Sequence, residues 1–272
     1  GCVITNTNRW DNTGENMKDG KQKVLITGAS GDIGGLIWRN LSHKYDFSGL
    51  NRSEVKEIPT TRASIANFEA IMPAFEGMDS VIHLSAENKD VNSWEGNLEI
   101  NIKGCRNVFE AARINGITRV IFASSGATTL GPQYHLSPFK EIAAGEFDKV
   151  PEEWEMLDHK SPYWPYDLYG VSKAFGEVLG RYYAGEWGLS VICLRIGALL
   201  KSNRPEIPRH VPGWLSHGDC VQMIDLCLSA PDSVEFEIFD VVSNNKWAIR
   251  DTRHAQDILG YNPSDNSDLY GL

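Results

Sequence analysis

The sequence has no apolar run near the ~18–20 residues that span a bilayer, no Cys-x-x-Cys pair and no His-Glu-x-x-His spacing, so neither a membrane span nor a metal is expected. Its five cysteines (Cys2, Cys105, Cys193, Cys220, Cys227) are odd in number and scattered. That excludes a disulfide framework and favours a reducing, cytoplasmic setting. Basic charge is short as well: 26 Lys and Arg stand against 36 Asp and Glu, a formal net charge of −10. Nucleic acid and anionic membrane surfaces both need a basic face, so neither is expected as a partner. No internal repeat or low-complexity tract is visible. What is present is a 272-residue chain, 42% hydrophobic, ample for one buried core.

Residues 1–20 are polar and without apolar period, and read as a disordered leader or cloning remnant, with Met17 a candidate native start. Gly1-Cys2-Val3-Ile4-Thr5 would match an N-myristoylation pattern had an initiator Met been lost, the weaker alternative. From Lys21 strands and helices alternate. Strands are expected at Lys23–Thr27, Asp46–Leu50, Val81–Leu84, Val120–Ala123 and Ser190–Leu194. Helices are expected at Ile33–His43, Phe68–Phe75, Asn101–Asn115 and Leu168–Trp187. Short apolar runs between helices indicate an α/β fold, a doubly wound parallel sheet, as a single domain over 21–272. Two stretches break the pattern, 131–166 and 197–218, and both leave strand C-terminal ends, where ligands bind in open α/β sheets. Substrate-binding segments are therefore expected near 126–168 and in a small C-terminal region, 197–272. The acidic run Glu141–Asp158 reads as a solvated surface insertion, a substrate lid being the alternative.

Val24-Leu25-Ile26-Thr27 runs into Gly28-Ala29-Ser30-Gly31-Asp32-Ile33-Gly34, a strand, three glycines at Gly-x-x-Gly-x-x-Gly spacing and a helix start. Such a turn offers backbone N–H groups and a helix N-terminus to a pyrophosphate. Gly28 allows the tight turn, Gly31 the approach of phosphate and Gly34 the packing of helix on strand. About 20 residues on, NAD enzymes of this fold carry an acid for the adenosine ribose, whereas this chain has Asn51-Arg52. Asn does not repel a 2′-phosphate and Arg can pair with it, which favours NADP over NAD. NAD stays open if Asn51 holds a plain ribose and Arg52 is a solvated loop cation.

Tyr169 and Lys173 stand four residues apart, hence on one helix face. A phenol near pKa ~10 must be tuned down to take a hydroxyl proton near neutrality, and the neighbouring ammonium is the expected means. Ser124-Ser125 close the strand Val120–Ala123, and Ser125 is the favoured donor to the reacting oxygen. Two serines satisfying a strand end are the plain alternative. A dinucleotide cradle with a Tyr/Lys pair outlines a hydride-transfer enzyme.

Together with His83-Leu84-Ser85-Ala86 and Asn101-Ile102-Lys103-Gly104, these motifs resemble the extended short-chain dehydrogenase/reductases, also called the NAD-dependent epimerase/dehydratase family, over roughly residues 22–262. The resemblance implies a Rossmann fold and cofactor contacts from Gly28, Ser30, Gly31, Asp32, Ile33, Gly34, Asn51, Arg52, Ser64, Ile65, Leu84, Ser85, Ala86, Asn101, Tyr169, Lys173 and Ile196. Within the family the chain looks most like uronate dehydrogenases, through Leu168–Glu177, Leu194-Arg195-Ile196-Gly197 and Trp214-Leu215-Ser216-His217-Gly218-Asp219. It implies catalysis by Ser125, Tyr169 and Lys173, and substrate contacts from Asn88, Ser125, Gly126 and Arg209, the last clasping a sugar carboxylate. Departures are Gly126-Ala127 where that group has Asn-His, Asn51 at the acidic position, Ser64-Ile65 in place of Asp-Leu, and the long 131–166 insertion.

The expected reaction is NAD(P)-dependent oxidation of a sugar or uronic acid at its anomeric carbon to a lactone. The alternatives are a nucleotide-sugar epimerase, dehydratase or carbonyl reductase on the same scaffold, and a non-catalytic dinucleotide-sensing protein. The apolar faces of 101–115 and 168–187 would allow a homodimer, although the same faces can pack the sheet.

Overall fold

The computed structural model describes residues 20–272, so the expectations for the leader and for Gly1 fall outside the described residues, Gly20 apart. The strands are β1 (Lys23–Thr27), β2 (Asp46–Asn51), β3 (Thr60–Arg62), β4 (Ser80–His83), β5 (Arg119–Ser125), β6 (Ser190–Ile196) and β7 (Phe236–Val241). All pair in parallel, in the order β3-β2-β1-β4-β5-β6-β7. The chain builds outward from β1 on one side, then restarts with β4 on the other. A crevice therefore opens between the C-terminal ends of β1 and β4.

Successive side chains of a strand face opposite sides of a sheet, and both faces here are apolar. Val24, Ile26, Ile82, Ile121, Ile192 and Leu194 pack into one core with helices α1 (Asp32–Leu41) and, late in the chain, His217–Leu228. Leu25, Val81, Val120, Phe122, Val191 and Cys193 face the other core, beneath α2 (Phe68–Ile71), α3 (Cys105–Ile114) and α4 (Leu168–Trp187). The late helix His217–Leu228 is α5, and Arg253–Leu259 is α6. Asp167 caps α4, its Oδ1 accepting from the Gly170 N–H at 2.6 Å, and Gly188 at φ +67° ends it.

Several elements were not anticipated, among them β3, β7, α5 and α6. β3 has only three residues. β7 reads Phe-Glu-Ile-Phe-Asp-Val, and its two acids interrupt the apolar run because each has a partner, Glu237 with His254 and Asp240 with Arg250. Helix α5 hid in the stretch read as loop and tail. The acidic insertion is also more than a solvated surface. Phe139 and Ile142 are buried against Ile249, Trp154 and Trp247 in a third, small core. Leu157 anchors it by accepting from Asp251 N–H and donating to the Ile249 carbonyl, both at 2.8 Å. Among the described residues no helix is long and apolar enough to cross a membrane.

Candidate active site

Gly28 turns the chain out of β1 at φ +77°, a conformation that L side chains resist. A Cβ at Gly34 would lie 2.5 Å from the Gly28 carbonyl oxygen and 2.8 Å from the Ala29 Cα. Gly34 thus lets α1 pack on the turn itself rather than on the strand. No side chain caps the start of α1, which leaves its first N–H groups for a ligand. Beside this turn lies a cavity of about 230 Å³, lined by Gly28, Ser30, Gly31, Asn51, Arg52, Ser64, Ile65, Leu84, Ser85, Ala86 and Asn88. The bare glycine turn and uncapped helix fit a dinucleotide's phosphates.

Asn51 and Ser30 hold each other across the mouth, with Asn51 Nδ2 donating to Ser30 Oγ at 2.9 Å and to the Ser53 carbonyl at 2.8 Å. Arg52 is exposed at the rim and makes no ion pair among the described residues. Asp32 does not line the cavity. Neither does Asn101, which is buried and spends its amide on Glu87 N–H (2.7 Å), Glu87 carbonyl (3.0 Å), Asn97 (2.8 Å) and Ser172 (3.0 Å). It positions the segment after β4 and is held on a π-helical stretch, Asn97–Gly104.

The second cavity, about 160 Å³, shares Leu84, Ala86 and Asn88 with the first and is lined also by Ile33, Ser125, Tyr169, Lys173 and Ile196. The three expected catalytic groups meet here because β5 ends at Ser125 and α4 brings Tyr169 and Lys173 on one face. Ser125 and Tyr169 face one another across this cavity, and the Ser125 side chain acts on the Tyr169 phenol by lowering its pKa. Lys173 Nζ donates to the Ala123 carbonyl at 2.7 Å and lies 5.4 Å from the Tyr169 ring centroid.

The Tyr169 phenol is shifted in the direction opposite to the expected one. Burial, then the Asp167 carboxylate, push the Tyr169 phenol up to about 12, with the Ser125 side chain the opposing influence. The Lys173 ammonium donates to the Ala123 carbonyl, and burial pulls its own pKa down to about 8. His83, on β4 beneath, is pushed down to about 3 by burial and then by Lys173, so it is neutral. Thr27 Oγ1 accepts from the Leu84 and Ser85 N–H groups, both at 3.1 Å, and so directs its own proton to His83 Nδ1 at 2.8 Å.

A third cavity, about 470 Å³, joins the second at Ser125, Ile196 and Gly197 and is walled by Gly126, Tyr134, Tyr166, Asp167, Arg209 and Arg250. The insertion supplies two of these, Tyr134 and Tyr166, stacked with ring centroids 3.8 Å apart. Arg209, exposed on the 197–218 stretch, donates to Tyr134 Oη at 3.4 Å.

Two buried ion pairs flank Ser125, and the sequence reading missed both. Glu177 lies on the Tyr169–Lys173 face of α4, accepts from Ser124 Oγ at 2.5 Å, and pairs with Arg195 through Nε at 3.0 Å and Nη2 at 2.9 Å. On the other side Arg250 pairs with Asp240 at 2.9 Å and donates to the Gly126 carbonyl at 2.6 Å. The signal for the first was the i, i+4, i+8 run Tyr169, Lys173, Glu177; Arg250 had none. A separate cavity of about 480 Å³, beyond Arg250 and lined by Trp154, Lys246 and Asp251, holds none of the catalytic candidates.

The model of the NAD dependent epimerase/dehydratase family matches residues 24–217. The chain belongs to that family. It is 32% identical over 258 residues to an L-arabinose 1-dehydrogenase (NAD(P)(+)) of Haloferax volcanii, covering 90% of this chain and 97% of that one. It is also 32% identical over 261 residues to an NAD-dependent glucose-6-phosphate dehydrogenase of the same organism (90% and 94% covered). A uronate dehydrogenase of Pseudomonas putida is 30% identical over 254 residues (91% and 86%). The solved uronate dehydrogenase of Agrobacterium tumefaciens superposes with a TM-score of 0.77 at 28% identity, covering 92% of this chain and 87% of that one. The likeness thus reaches beyond uronate dehydrogenases to other sugar dehydrogenases, and all of these relatives are named as dehydrogenases.

Proposed function

We propose that this family member is an NAD(P)-dependent dehydrogenase that oxidises a sugar or sugar acid at its anomeric carbon to the lactone. The carrying observation is that Ser125, Tyr169 and Lys173 meet in one cavity, continuous on one side with the glycine-turn cavity and on the other with one edged by Arg209. When bound, the oxidised nicotinamide accepts the hydride and adds a positive charge beside the phenol. Ser125 holds the substrate oxygen and Tyr169 takes its proton. Burial raises the phenol's pKa, and Lys173, 5.4 Å from its ring and mainly protonated below pH about 8, is the cation placed to favour its deprotonation.

Arg209 has no ion pair among the described residues, which supports a bidentate grip on a sugar carboxylate at the rim. Arg52, likewise unpaired and beside Asn51, supports a preference for NADP, with NAD also used. Relatives that are dehydrogenases of arabinose, glucose 6-phosphate and uronate support the substrate class. The test is a panel of aldoses and uronates with both cofactors, followed by absorbance of reduced nicotinamide, with the product trapped by hydroxylamine. Reduced cofactor together with a hydroxylamine-reactive lactone is expected. Net turnover absent across the panel would defeat the reading.

A further inference from the structure

We propose that Arg250 is a substrate-contacting residue that sets specificity, donating from Nε to a hydroxyl of the sugar in the space above Gly126. The inference deepens the proposed dehydrogenase reading and rests on it. A Cβ built on Gly126 would fall 3.0 Å from both Nε and Nη2 of Arg250 and 3.1 Å from its Cζ. The guanidinium therefore occupies the place that a side chain next to Ser125 would take. It lines the same cavity as Ser125 and Arg209, although the residue is only 4% exposed.

The donors of that guanidinium divide cleanly. Nη1 gives to Asp240 Oδ1 at 2.9 Å and Thr129 Oγ1 at 2.7 Å, and Nη2 gives to the Gly126 carbonyl at 2.6 Å. Five N–H bonds radiate from a guanidinium; three are used, and the second on Nη2 and the one on Nε have no protein partner among the described residues. Nε is also absent from the fully buried, unpartnered atoms, so it is not sealed off; Arg250 lines the cavity beyond it as well, but Gly126, against which Nε lies, lines only the one shared with Ser125 and Arg209. Asp240 already balances the charge. A neutral oxygen acceptor suits such a donor, whereas an anion suits the unpaired Arg209. The two arginines then read different parts of one substrate: Arg209 the acid group at the rim, Arg250 a hydroxyl at the wall beside Ser125.

The experiment compares wild type, Arg250→Lys and Gly126→Ala on the preferred sugar and its monodeoxy analogues. Lysine keeps a cation for Asp240 and removes the Nε donor. Arg250→Lys should raise the sugar KM roughly 10- to 100-fold, the loss of one hydrogen bond from a charged donor. The KM for the nicotinamide cofactor should stay within twofold, and fluorescence quenching on cofactor binding confirms that the variant is folded. One monodeoxy analogue should be weak with wild type and no weaker with Arg250→Lys. Gly126→Ala leaves both members of the ion pair in place but displaces the guanidinium, and should raise the same KM by a smaller factor. If Arg250→Lys does not fold, Gly126→Ala decides alone. A sugar KM unchanged in the folded variants, or a deoxy penalty equally large in Arg250→Lys, overturns the proposal while the dehydrogenase reading stands. Wild type inert on every sugar defeats that reading, and this proposal with it.

Discussion

Replacing Lys173 by Met should make the protein more stable and inactive. Lys173 is 3% exposed, and its ammonium donates to the Ala123 carbonyl. Burial lowers its pKa from 10.5 to about 8, so holding it charged in the fold costs about 3 kcal/mol. Below pH 8 the amine is protonated in folded and unfolded chains alike, and the whole cost is present. Between pH about 8 and 10.5 the folded protein has lost this proton while the unfolded chain keeps it, so stability rises with pH and the cost fades. Met fills the space without charge and forfeits one hydrogen bond worth about 1 kcal/mol. The net gain at pH 7 is about 2 kcal/mol, or about 4–8 °C in Tm for a domain of this size. Urea unfolding of both proteins at pH 7 and pH 10 measures it directly. A variant less stable than wild type at pH 7, or a difference that is the same at both pH values, would refute the reasoning.

Arg195→Met strands the buried Glu177 carboxylate and should cost about 3–5 kcal/mol, seen by calorimetry as a Tm loss of about 6–20 °C; a loss under ~3 °C would contradict the ion pair's role. Arg52→Ala should weaken NADP roughly tenfold or more and NAD hardly at all in fluorescence titration, as expected for a charged hydrogen bond to a phosphate. A wild type that prefers NAD would end that assignment. Arg209→Ala should raise KM for a uronate far more than for the matching neutral aldose, and equal effects would mean no carboxylate contact.

The scaffold was legible because it is written in local patterns. The apolar runs of β1, β5 and β6 are buried whatever surrounds them, and the Leu168–Trp187 bounds follow from an Asp cap and a closing glycine. The cofactor side of the site was legible for the same reason, since a strand, a glycine turn and a helix are contiguous in sequence. What stayed hidden is non-local. β7 carries acids whose partners are 10 or 17 residues away in sequence. The insertion's Phe139 and Ile142 find their core in Ile249, far along the chain. Arg250 reaches Gly126 across 124 residues. The direction of the Tyr169 shift also escaped, because sequence spacing gives the proximity of Lys173 but neither the burial of the phenol nor the carbonyl that claims the ammonium.

The most direct measurement is steady-state turnover of Tyr169→Phe beside its affinity for the nicotinamide cofactor. Affinity within about threefold of wild type with turnover down by ~10²–10⁴-fold is the predicted result, since only the positioned proton transfer is removed. Turnover retained within tenfold would take the phenol out of the reaction and contradict the account.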